Sequence, residues 1–113
     1  MLLDGTGSEL ERYLSYLSQR QGVIASNMAN ADTPGYKTRD VQAPSNFSQT
    51  LTEASLSPVE AEGLKTRNDG NNVDLDREAR LLADSTLRFN LATQMVRGEI
   101  RGIRSAIEEG RSA

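Results

Sequence analysis

The chain has 113 residues, room for one ordinary domain, yet only 36% are hydrophobic, with two Phe, three Tyr and no Trp, so a thick self-contained core is not expected. Sixteen acidic against thirteen basic residues leave a net charge of -3, which argues against nucleic acid, a partner recognised through clustered Lys and Arg. With no Cys and no His, thiol chemistry, zinc sites built on those ligands and histidine triads are excluded.

The start, "MLLDGTGSELER", lacks a basic region followed by an apolar stretch of seven or more residues, so no secretory signal is read there. No run approaches the roughly 20 apolar residues that span a bilayer, and membrane insertion is not expected. Charge is uneven along the chain. Residues 1–76 carry six bases and eleven acids, residues 77–113 seven bases and five acids, a distribution suited to contact between opposite regions of neighbouring copies.

The first segment places Leu10, Leu14, Leu17, Ile24 and Met28 at alternating four- and three-residue spacing up to Ala31, interrupted by Gln21. That spacing predicts one face of a helix of about 24 residues. Ser8 as N-cap and Glu11 three positions on form a capping box that would start it.

"NMANADTPGYKTRD", Asn27 to Asp40, should end it. Asn30 tolerates the left-handed conformation of a helix stop, and Asp32 and Thr33 can bond nearby backbone. Pro34 biases Thr33 to an extended conformation, and Pro34-Gly35 suits the centre of a type II turn. Tyr36 then offers a ring with a polar end, and Asn27 and Asn30 share one face of the last helical turns. Physics alone supports a helix stop with a rigid exit.

Residues 41–73 are rich in Ser, Thr, Asn, Gly and Pro, with apolar residues too sparse for a core. A short helix from Asn46 to Ala54 would put Phe47 and Leu51 on one side; the rest reads as an extended connection that orders on a partner. "NDGNNVDLD", Asn68 to Asp76, suggests a calcium loop, but with Gly70 at the glycine position Lys65 and Arg67 fall where oxygen ligands belong. A turn and a helix cap fit the same residues. The acid pairs Glu9 with Glu11 and Glu60 with Glu62 read as solvated charge, so neither an enzyme nor a cofactor is expected.

In the last segment Leu75, Ala79, Leu82, Thr86, Phe89, Thr93, Val96, Ile100, Ile103 and Ile107 keep the four-three spacing over about nine helical turns. Asp74 or Asn72 can cap this helix, Asp76 and Glu78 suit its positive end, and Gly110 would stop it. Leu87, Leu91 and Met95 project from the opposite side, continued by Gly98 and Gly102. A helix apolar on two sides belongs among several neighbours, here other chains. The residues predict an all-α fold: two long amphipathic helices in a coiled-coil-like hairpin. Its parts are the first helix with its exit turn (1–40), a polar connection (41–73) and the last helix (74–113).

Two blocks carry a family resemblance. "NMANADTPGYK" resembles the Asn-x-Ala-Asn-x-x-Thr-Pro-Gly-Tyr signature of the bacterial flagellar axial proteins, the rod, hook and related subunits. "DGNNVDLDREARLLADSTLRFNLATQMVRGEIRGIRSAI", Asp69 to Ile107, is similar to the C-terminal region of the proximal rod members of that family. Asn27, Asn30, Thr33, Pro34, Gly35 and Tyr36 match the shared signature, while Gly70, Asn71, Asn72, Val73, Asp74 and Leu75 match the more specific block. The resemblance implies a non-enzymatic subunit of the basal-body rod, the drive shaft crossing the periplasm and transmitting torque. It implies export by the flagellar type III apparatus without a cleaved signal, and assembly with other copies, other rod subunits and the rod-to-ring junction proteins. From the residues alone, the alternative is a soluble helical adaptor or export chaperone binding a partner helix.

Overall fold

The computed structural model describes residues 5–42 and 57–112. Helix α1 (Gly5–Ala29) is followed by strands β1 (Arg39–Asp40) and β2 (Val59–Glu60), and then by helix α2 (Leu75–Ser112). The helices lie antiparallel. Tyr13, early in α1, accepts a hydrogen bond from Arg88 on α2, whereas Asn27, near the end of α1, bonds Glu78 in the first turn of α2. The resulting all-α hairpin measures 72 × 24 × 17 Å. Its strands form a minimal antiparallel ribbon, Arg39 opposite Glu60 and Asp40 opposite Val59.

The predicted face of α1 points inward: Leu17, Ile24 and Ala31 are buried, and Leu10, Leu14 and Met28 are half-buried. Tyr16 joins them, its ring stacked on Tyr13 at 6.2 Å between centroids. Burial raises the Tyr16 phenol above its ordinary value, against the pull of Arg20. Since α1 is already helical at Gly5, the Ser8–Glu11 box does not mark its start.

On α2 the face turned to α1 is displaced from the predicted one. Leu82, Phe89, Val96 and Ile103 are at least half-buried, but the positions completing the stripe are Glu78, Ser85 and Ala92, all buried. Leu75, Ala79, Thr86, Ile100 and Ile107, assigned to the same stripe by spacing, are exposed. Each completing position lies one residue earlier than expected. The physical reason is the bond from Asn27, which turns Glu78 towards α1; at about 100° per residue Ser85 and Ala92, seven and fourteen positions on, then share its side, while Ala79, Thr86 and Thr93 are rotated out of it.

Asp74 caps α2, its Oδ1 accepting from the backbone N–H groups of Asp76 (3.1 Å) and Arg77 (3.2 Å). Gly110 does not end the helix, which continues to Ser112. Nor do Gly98 and Gly102 mark a close backbone approach within the chain: a Cβ at Gly98 would meet only the Arg101 side chain, and one at Gly102 nothing. Residues 104–111 are exposed without interruption, about 12 Å of helix at 1.5 Å per residue.

The middle of the chain contributes more to the interior than its composition suggested. Val41 is 2% exposed and packs with Tyr16 and Leu17, and Val73 is buried beside the start of α2. Two well-placed valines suffice because the helices supply the other walls. The helix expected from Asn46 to Ala54 lies outside the described residues.

Ser85 is fully buried and its hydroxyl has no hydrogen-bond partner among the described residues. Ser85→Ala should therefore leave stability unchanged or raise it by up to about 1 kcal/mol, whereas Leu17→Ala should cost about 2–5 kcal/mol. Urea unfolding of the two variants checks both values.

Candidate functional site

The two sequence blocks singled out above, some forty residues apart, meet at the closed end of the hairpin. Their meeting point is organised by Asn27, which is 0% exposed. Its Nδ2 donates to the Arg39 carbonyl (2.7 Å) and to Glu78 Oε1 (2.6 Å). Its Oδ1 accepts from the Arg39 N–H (3.1 Å) and the Tyr36 hydroxyl (3.0 Å). Four bonds exhaust what one amide can make. One side chain on α1 thereby fixes the exit turn, β1 and α2.

The exit itself forms as a sequence of tight turns. The Ala31 N–H bonds the Met28 carbonyl (3.3 Å) and the Thr33 N–H bonds the Asn30 carbonyl (3.1 Å). Asn30 Nδ2 reaches back to the Ser26 carbonyl (2.9 Å), and its Oδ1 accepts from the Thr33 hydroxyl (3.0 Å). Among the described residues none but glycine has a positive φ, so Asn30 does not adopt the left-handed conformation expected of it. Four-residue turns and a side-chain clamp end the helix instead. The predicted type II turn is present: Gly35 has φ 76° and the Tyr36 N–H bonds the Thr33 carbonyl (3.2 Å).

The second block docks on this turn. The Gly35 N–H donates to the Asp69 carbonyl (2.9 Å), and a Cβ at Gly70, where φ is 86°, would lie 3.2 Å from the Gly35 Cα. The two backbones therefore approach as closely as two glycines allow. Lys37 Nζ donates to the Gly70 carbonyl (2.5 Å). Asn71, fully buried, donates from Nδ2 to the Asn30 (2.9 Å) and Thr33 (2.8 Å) carbonyls and accepts from the Val73 N–H (2.8 Å). Asn72 accepts from the Thr38 N–H (2.7 Å). Arg67 donates to the carbonyls of Val73 and Ala31, tying the loop to the end of α1.

Of the residues selected from sequence, Asn27, Asn30, Thr33, Gly35, Tyr36, Gly70, Asn71, Asn72, Val73 and Asp74 all take part in this junction. Pro34 lies exposed in the turn, and Leu75 is 52% exposed at the start of α2. The helix-packing set divides differently. Leu87, Leu91 and Met95 are 69%, 59% and 52% exposed, and Leu91 and Met95 border a groove shared with Leu10 and Tyr13 of α1.

Sequence reasoning missed a charged layer beneath Asn27. Glu78 is the one fully buried charged residue among the described residues. Arg77 Nη1 contacts both its oxygens, at 3.2 and 3.3 Å, while Arg77 Nη2 turns to Asp40 Oδ2 at 3.6 Å. Asp40 in turn receives Arg20 through Nε (3.2 Å) and Nη2 (3.3 Å). Burial pushes the Glu78 carboxyl above its ordinary range, opposed by the Asn27 hydrogen bond and the Arg77 charge. The Arg20 guanidinium loses hydration here, but its hydrogen bond to Asp40 and that residue's charge prevail and raise its pKa. The only available signal was an acidic residue in the first helical turn, which reads equally well as a solvated dipole partner.

The junction's side chains direct their bonding capacity at one another, an arrangement that fixes geometry. Asn27→Asp, which removes both donors and sets a carboxylate against Glu78, should cost about 3 kcal/mol or more. Gly70→Ala should cost about 1–3 kcal/mol through its positive φ and the Gly35 contact, and Tyr36→Phe about 1 kcal/mol. Chemical denaturation ranks the three.

Residues 14–37, covering the second half of α1 and the exit turn, match the family model "Flagella basal body rod protein". Over nearly the whole chain the sequence is similar to curated flagellar basal body rod proteins FlgB. The protein from Escherichia coli (strain K12) is 31% identical over 122 aligned positions, 86% of this chain and 88% of the relative. That from Aeromonas hydrophila is 33% identical over 118, covering 84% and 86%. That from Bacillus subtilis (strain 168) is 27% identical over 127, covering 97% and 98%. With relatives of 31% and 33% identity each matched over more than four fifths of both chains, the chain belongs to the FlgB family of flagellar basal body rod proteins.

Proposed function

We propose that the chain works mechanically, as a subunit of the proximal rod whose helices transmit torque from the membrane ring towards the hook. Its family is one of structural proteins, not of enzymes. Residues 1–40, 41–73 and 74–113 act together as one axial-type unit. The observation that carries this reading is the second apolar side of α2: Leu87, Leu91 and Met95 stand exposed while Leu82, Phe89 and Ala92 face α1. Each such leucine, once covered, contributes on the order of 1.5–3 kcal/mol, a strong incentive for further helices to pack there.

A shallow groove of about 370 Å³ beside these residues extends the apolar side across the hairpin, lined by Glu9, Leu10, Tyr13, Arg88, Leu91, Ala92 and Met95. Ile100 and Ile107, 44% and 54% exposed, continue apolar surface along the last turns of α2. These surfaces receive neighbouring rod subunits and copies of the chain itself, with the rod-to-ring junction proteins at one end of the stack. The junction at Asn27 and Gly70 holds the exit turn at a set angle so that such contacts repeat from copy to copy.

Delivery follows the same reading. No helix among the described residues is long and apolar enough to cross a membrane. The flagellar type III apparatus exports the chain without a cleaved signal, and the subunit resides in the rod where that structure crosses the periplasm. A hairpin with so much uncovered apolar surface is marginal alone and gains stability on assembly.

Leu91→Asp should leave the hairpin foldable, because the side chain is exposed, yet abolish incorporation into the rod and motility. The check is an immunoblot for the chain in detergent-purified hook and basal-body particles beside the soluble fraction. Wild type retained in the particles and Leu91→Asp excluded from them is the expected result. Wild type found only in the soluble fraction would transfer the weight to an adaptor or export chaperone.

A further inference from the structure

Glu78 is unlike every other carboxylate among the described residues in being wholly enclosed, and its neighbours compensate its charge incompletely. The α1 side offers Asn27, a neutral donor at 2.6 Å, and Arg20, which is committed to Asp40. β1 offers Asp40, a second negative charge. α2 offers Arg77, whose fork is divided: one nitrogen serves Glu78 and the other leans to Asp40. A bidentate pair would have matched both carboxylate oxygens with two nitrogens, and here only one is available. The same carboxyl is also the direct side-chain tie between Asn27 and α2, so whatever weakens it weakens the closed end of the hairpin.

We propose that Glu78 is a proton-operated latch between the two helices: neutral, it lets the hairpin close tightly, and ionised, it strains the junction and leaves the isolated subunit easily opened. The neutral carboxyl keeps its carbonyl oxygen as acceptor for Asn27 and releases Arg77 to complete its pairing with Asp40. The ionised form must be held without water around it, which is costly in a low-dielectric interior. Burial accordingly raises the folded-state value of Glu78 above the 4.5 of an ordinary glutamate, against Asn27 and Arg77. A group raised on folding binds its proton more tightly in the folded state. Its stabilising contribution is complete below about 4.5, the unfolded value, and is lost as pH rises through the raised folded value. The latch is thus tightest in acid and loosens as pH rises through that raised value.

Helix content of the full chain, followed by circular dichroism in graded urea between pH 4 and 8, tests this against Glu78→Gln. Glutamine keeps an oxygen for Asn27 and cannot ionise. The variant should be the more stable at pH 7, with the ratio of the two unfolding constants changing by up to tenfold per pH unit across the window and disappearing in acid. Removing an acid from a first helical turn weakens the dipole interaction and so acts in the opposite direction, which means a gain at neutral pH cannot arise from it. Arg77→Gln should move the wild-type transition to higher pH and leave the profile of the Glu78→Gln background unchanged. A wild type as stable as Glu78→Gln or more so at pH 7, or parallel pH profiles for the two, would overturn the latch.

Discussion

Everything at the closed end of this hairpin depends on burying one amide whose four hydrogen bonds are all made within the chain. Asn27 stands where α1, β1 and α2 converge: two of its bonds hold the Arg39 backbone, one the Tyr36 hydroxyl and one the Glu78 carboxyl of the next helix. Leaving any partner out would strand a polar atom in the interior, which costs more than a formed bond gains. The arrangement therefore has little tolerance for alternatives. An apolar residue here would allow the helices to slide by a turn, while the amide accepts one register alone.

The two glycine turns follow from that constraint. Once Asn27 has fixed Tyr36 and Arg39, the Thr-Pro-Gly-Tyr turn has a set position, and the loop before α2 must pass it closely enough for Asn71 to reach the carbonyls of Thr33 and of Asn30 before it. Gly70 makes this approach possible because it has no side chain to meet the Gly35 backbone, while Gly35 supplies the positive φ the turn requires. The long helices then diverge in role. One face of α2 completes the seam with α1, and the other remains uncovered, so a densely hydrogen-bonded junction sits at the base of a surface that is energetically incomplete.

Legibility in the sequence followed the range of the interactions only in part. Some local signals were read correctly, the Pro34-Gly35 turn, the Asp74 cap and the inward face of α1, whereas the Ser8–Glu11 box and Gly110, equally local, did not mark helix ends. The family blocks pointed to the residues of the junction, but nothing in the sequence told which would meet. Asn27 and Glu78 are 51 positions apart, and neither an amide near a helix end nor an acid in a first turn announces a buried partner. The seam of α2 was misplaced by one residue because hydrophobicity marked Ile100 and Ile107, whereas the bond between Asn27 and Glu78 turned Glu78, Ser85 and Ala92 inward. Asn30 illustrates a different limit: its ability to enter the left-handed region was real, but side-chain bonds to Ser26 and Thr33 offered a lower-energy ending.

The helices are unequal, 25 residues in α1 against 38 in α2, and the exposed run at 104–111 is the difference made visible. A stretch of helix exposed on every side draws its order from its own backbone hydrogen bonds, which are marginal in water without tertiary packing. Opening of the isolated hairpin therefore starts in these last turns and runs towards the seam, the order in which packing against α1 begins to hold α2.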